Sequence, residues 1–117
     1  MAYQRRITTQ SIRLTGAPVA AATHTVWRAP VACKVVKVHG FRNGGAAAAV
    51  NAKVDGVDVL AADLTAGNDT FTSAAPTGSA GDMAAGDVLQ LEVASGDATT
   101  VIIQADIAID ADVYDLS

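Results

Sequence analysis

Large side chains are scarce in this sequence. Its 117 residues include one Trp, two Tyr, two Phe and two Met. A core made mainly of Val, Ile, Leu and Ala buries modest apolar area, each Å² contributing about 25 cal/mol. A domain of this size folds alone, and oligomerisation is an ordinary supplement to its stability. The shortage of aromatics also excludes a row of stacking platforms for single-stranded nucleic acid. Cysteine occurs once, as Cys33, which excludes an intramolecular disulfide and a cysteine-based zinc site. In its β-branched surroundings Cys33 reads as a small apolar residue. Glutamate also occurs once, as Glu92, so the Glu–Lys pairs that support helices are missing. No run reaches the ~18–20 apolar residues of a membrane span. Arg5 and Arg6 lead into Thr8, Thr9, Gln10 and Ser11 instead of the apolar core of a secretory leader. Synthesis in a cytoplasm is the expectation.

Charge is present but segregated. All eight Lys and Arg lie between Arg5 and Lys53, and all twelve Asp and Glu lie between Asp55 and Asp115. The net charge of −4 argues against nonspecific DNA binding by the whole domain. A cationic beginning and an acidic end suit attraction between copies, or toward an acidic neighbour. Arg5, Arg6 and Arg13 at one end, with Asp110, Asp112 and Asp115 at the other, are the candidate assembly contacts. The carboxylates lack the spacing and the glycine of an EF-hand loop, and are read as a solvated acidic end.

Period two dominates the chain. From Thr99 to Ile109, Val101, Ile103, Ala105, Ile107 and Ile109 share one face, the pattern of a half-buried antiparallel strand. Leu89, Leu91 and Val93 repeat it. With Ser95-Gly96-Asp97-Ala98 between them, these two strands are expected to form a hairpin. A second hairpin is expected where Ala48, Val50, Ala52 and Val54 lead into Asp55-Gly56 and then Val57 and Val59. Ala32–Arg42 is a long β-branched run closed by Asn43-Gly44-Gly45, and Ala22–Arg28 ends at Ala29-Pro30. Weaker strands are expected at Ile7–Leu14 and around Phe71. Ala46–Ala49 has helix propensity but is far shorter than the ~12 residues a marginal helix needs. The expected fold is all-β: a single-domain antiparallel β-sandwich, jelly-roll-like, with seven or eight strands. Residues 1–6 read as an N-terminal arm, 7–110 as the sandwich, and 111–117 as an acidic tail. The longest irregular piece is Ala74–Gly86.

No catalytic constellation is visible. His24 and His39 have no ligand-type neighbour at metal spacing, and no Gly-x-Ser-x-Gly elbow is present. Neither a cofactor nor a metal is expected, and a small hydrolase is the least favoured reading. Trp27 and Phe71 are the aromatics that would line a sugar pocket, if there is one.

The strings Val26-Trp27-Arg28-Ala29-Pro30-Val31-Ala32-Cys33-Lys34-Val35, Val50–Leu60 and Ala85–Val93 resemble small β-sandwich virion proteins of tailed bacteriophages, the head decoration or auxiliary capsid type. The resemblance covers roughly residues 22 to 109. It implies a non-enzymatic capsid decoration, or cement, protein that binds the outside of a phage head. Its implied partners are the major capsid protein and further copies of itself, as a trimer, with no nucleic acid or membrane. Its implied place is the virion. The alternative is a receptor- or carbohydrate-binding module of a phage tail or fibre, using loops such as Ala74–Gly86.

Overall fold

A computed structural model of the chain describes residues 3–112, with side chains from 6 to 109. Eleven strands form two sheets, and no helix occurs among the described residues. Six strands are long: β1 (Tyr3–Thr15), β2 (Ala22–Arg28), β3 (Cys33–Asn43), β4 (Ala48–Val54), β10 (Val88–Gly96) and β11 (Thr100–Asp112). The other five have two or three residues each: β5 (Val57–Asp58), β6 (Leu64–Thr65), β7 (Gly67–Asn68), β8 (Thr72–Ala74) and β9 (Asp82–Met83). One sheet runs β1-β11-β3-β7, with β8 and β9 also on β3; the other runs β2-β10-β4-β5, with β6 on β4. They are called sheets A and B below. Pairing is antiparallel except between β3 and β7. The fold is a β-sandwich, as the alternation implies, and the extra strands are short pieces inside the loops.

The alternating residues meet across the sandwich. Val101, Ile103 and Ile107 of β11, Val35 and Val38 of β3, and Leu89, Leu91 and Val50 of sheet B are all fully buried. Gly40 lets the sheets approach: a Cβ there would press on the Val50 side chain. The register of β3 on β11 shifts between Asp106 and Ile107. This bulge at Val36 keeps Val35 and Val38 both inward although they are three residues apart.

The hairpin through Asp55-Gly56 forms, with Val54 opposite Val57. Both turn residues have positive φ, 50° at Asp55 and 84° at Gly56, the pairing a two-residue loop favours. The expected hairpin between β10 and β11 does not form, because β10 lies in sheet B and β11 in sheet A. Residues 97–99 cross between the sheets as an arch, alongside a matching crossing at 44–47 from β3 to β4. The two crossings bond to each other through Asp97 N to Ala47 O (3.1 Å) and Thr99 N to Asn43 O (3.0 Å). The physical reason is burial. In a hairpin the apolar faces of two strands lie side by side, whereas an arch folds them onto each other.

The expected arm is also redrawn. Tyr3 to Arg6 continue β1 and pair with Asp112 to Ile109, so the boundary after residue 6 falls within a strand. Ala111 and Asp112, assigned to the tail, belong to β11; residues 113–117 of that tail lie outside the described residues. The irregular segment Ala74–Gly86 contains β9, and Met83 is buried, so this loop is tied to the edge of β3.

Candidate functional site

The outer face of sheet A carries the most organised exposed chemistry. Since Val38 and Gly40 of β3 point inward, His39 and Phe41 point outward. The ladder sets Thr9 opposite Asp106, Gln104 opposite His39, and Arg13 and Phe41 on either side of Ile102. His39 Nε2 lies 2.8 Å from Asp106 Oδ2, with both side chains about three-quarters buried. Thr9 Oγ1 donates to the other carboxylate oxygen at 2.9 Å. Burial pushes the Asp106 carboxyl up, but hydrogen bonds from His39 and Thr9 and the positive charge nearby outweigh it, leaving it below its ordinary value. Asp106 is therefore an anchored anion that holds the His39 ring in place.

Beside this cluster Phe41 meets Phe71, with ring centroids 5.2 Å apart and planes tilted by 40°. Phe71 is 47% exposed. It sits on the short link between β7 and β8, both paired to β3. Thr72 Oγ1 closes that link by donating to Thr65 O at 2.6 Å, and Asp69 N donates to Arg42 O at 2.8 Å. An exposed ring is thus fixed by backbone on both sides. Polar groups capable of donating and accepting lie on the neighbouring rungs.

The outer face of sheet B is organised differently. Lys53 Nζ lies 2.9 Å from Asp58 and 3.7 Å from Glu92, and Thr23 donates to Glu92 at 3.1 Å. The hydrogen bond to Asp58 is the main influence raising the Lys53 pKa. These three charges pair with one another, and among the described residues no aromatic ring on this sheet is as exposed as Phe71.

The residues singled out in the sequence fall in different places. Arg5 stands opposite Asp110 in the β1–β11 ladder, and Arg6 opposite Ile109. Cationic and acidic ends are therefore neighbours within one chain as well as candidate contacts to another. Arg13 lies on the exposed side of β1. Asp112 pairs with Tyr3, and Asp115 lies outside the described residues. Of the two candidate sugar-lining aromatics, Trp27 is partly buried and packs against the core, whereas Phe71 is the more exposed ring. His24 is half-buried opposite Leu91. Burial is the main influence raising the Cys33 thiol pKa. Among the described residues no group of three or more His, Cys, Asp or Glu is placed to hold a metal ion. Sequence reasoning missed the Phe41–Phe71 pair and the Asp106 cluster. Their residues are 30 and 67 positions apart, and no local pattern links them.

No family model matches the chain, and neither does any curated protein. Solved structures do. The CBM36-1 domain of a multidomain xylanase from the hindgut metagenome of Trinervitermes trinervoides superposes with a TM-score of 0.50 and 13% identity, over 93% of this chain and 98% of that one. The carbohydrate-binding module CBM36 in complex with calcium and xylotriose gives 0.43 and 15%, over 95% and 100%. A chain of infectious bursal disease virus, Gt strain, gives 0.48 and 13%, with 92% of this chain matching 33% of that chain. At these identities the likeness is one of fold, a β-sandwich.

Proposed function

We propose that the chain is a non-catalytic recognition module that binds carbohydrate across the outer face of sheet A. The observation that carries this is Phe71, an exposed ring held against Phe41 beside the His39–Asp106–Thr9 cluster. Sugars present apolar C–H faces and a rim of hydroxyls. A fixed aromatic surface next to oriented donors and acceptors answers both. Phe71→Ala should abolish glycan-array binding, or weaken it at least about tenfold, a loss of about 1.4 kcal/mol. The half-exposed ring is peripheral to the core, so the melting curve should stay close to that of the parent. Trp27→Phe, a change at a partly buried ring on the other sheet, should leave binding intact.

A second reading is favoured by the long basic strand β1: a virion protein that decorates a phage head, bound to the major capsid protein, as a trimer on the lattice. The same variant separates the two. Under the decoration reading the parent binds no glycan, and Phe71→Ala co-sediments with capsids as well as the parent does. Glycan binding lost with Phe71 sinks that reading, while an unchanged array profile sinks the first.

A further inference from the structure

β1 is an edge strand of thirteen residues, about twice the usual strand length. One side pairs with β11 along its whole length without a register shift. Among the described residues no strand pairs with the other side. That leaves a straight row of main-chain donors and acceptors. Natural sheets normally guard such an edge by keeping it short, or with charged side chains, proline or a bulge. β1 is long and has no proline or bulge, so charge alone guards it. Its three charged residues, Arg5, Arg6 and Arg13, are all arginines.

We propose that this edge is the docking site for an acidic extended segment of a different protein, which adds beside β1 as a further strand. Main-chain hydrogen bonds supply affinity in such additions, and the side chains on alternate positions supply selectivity. Arg5 and Arg13 share one strand parity, so the incoming strand carries acids eight residues apart, opposite them. Among the described residues no strand of a second copy of this chain offers such a segment. β10 is paired on both sides, and β11 only up to Ala108; beyond it β11 carries Asp110 and Asp112, two residues apart instead of eight and already paired to its own β1. β2, the long edge of sheet B, has no acid, and the remaining strands have two or three residues. Pairing β1 with another β1 would bring two sets of arginines together.

The test uses a threonine-rich peptide with aspartates eight residues apart, and a twin with lysines in their place. The aspartate peptide should bind the full chain, weaken at least about tenfold on going from low to high salt, and slow hydrogen exchange at alternate β1 amides. The lysine peptide should not bind. Arg13→Glu, a change at an exposed position, should weaken the aspartate peptide at least about tenfold and improve the lysine peptide. Phe71→Ala should leave both unaffected, which separates this edge from the proposed carbohydrate face. Equal binding of the two peptides, no binding of either, or protection confined to residues outside β1 overturns the proposal. So does a chain that self-associates at low salt with its own β1 amides protected.

Discussion

Asn51 is a buried polar residue that ties the 57–63 segment to β4. It is fully buried, and its amide uses all of its ordinary capacity. Nδ2 donates to Leu60 O at 3.1 Å and to Asp63 Oδ1 at 2.9 Å. Oδ1 accepts from Leu60 N at 3.1 Å and Ala52 N at 2.8 Å. A buried amide with every donor and acceptor engaged is stabilising, whereas removing it strands the partners. Asn51→Ala leaves both main-chain groups of Leu60 without their partner, and should cost about 2–3 kcal/mol in denaturant unfolding. Asn51→Asp should be at least as damaging, since it sets a carboxylate against Asp63 and the Leu60 carbonyl. A change below about 0.5 kcal/mol for the alanine variant would show that the 57–63 segment is not pinned by this side chain.

At the scale of elements, the two crossings between the sheets are joined by one carboxylate. Asp97 Oδ1 accepts from Ala46 N at 2.7 Å and Ala47 N at 3.0 Å. Those N–H groups, Ala47 first, hold the carboxyl below its ordinary value. A side chain on Gly45 would strike the Asp97 carbonyl, and Gly45 has φ of 65°, so this close approach is reserved for glycine. The folded state binds the Asp97 proton more weakly than the unfolded chain does. Its stabilisation is therefore complete above the ordinary carboxylate pKa and is lost as pH falls through the depressed value. Asp97→Asn should melt at a lower temperature than the parent at neutral pH, and the gap should close on acidification below pH ~4. A gap independent of pH would mean that the ionised carboxylate is not what joins the crossings. Much of this level was legible beforehand. Strict alternation located β4, β10 and β11, and Asp55-Gly56 located the one tight hairpin. Alternation states that a strand has one buried face, not which strand lies beside it, so the arch at 97–99 looks like a hairpin from the sequence. Asn51 falls on the nominally solvent-facing parity of β4, and nothing in Ala48–Val54 announces that residues 57–63 will fold over it. Phe71 was visible as an aromatic between loops. Its pairing with Phe41 depends on β7 and β8 both joining β3, a tertiary fact.

At the scale of the whole molecule, the partition of charge along the chain does not become two charged faces. Lys34 pairs with Asp82, and Lys53 with Asp58 and Glu92, while the His39 ring meets Asp106, so basic residues of the first half meet acids of the second on both sheets. An exposed pair such as Lys34–Asp82 contributes little to stability; what joins the halves is the ladder, above all β1 with β11 from the two ends of the chain. That ladder has two parts. From Ile7 to Thr15, β1 lies beside the portion of β11 that β3 also pairs, and Ile12 and Leu14 pack on the core. From Tyr3 to Arg6 it pairs only the stretch Ile109–Asp112, beyond the reach of β3. A two-stranded ribbon contributes little on its own, so deleting residues 1–6 should lower stability by less than about 1 kcal/mol. Deleting residues 1–15 removes Ile12 and Leu14, worth up to about 1.5–3 kcal/mol each, and leaves β11 with an open edge. Set against a typical total of about 5–15 kcal/mol, that loss should abolish the cooperative transition in circular-dichroism melts. If the longer deletion still unfolds cooperatively near the parent temperature, β1 is an appendage, and the edge beside it is a surface that a partner strand merely replaces.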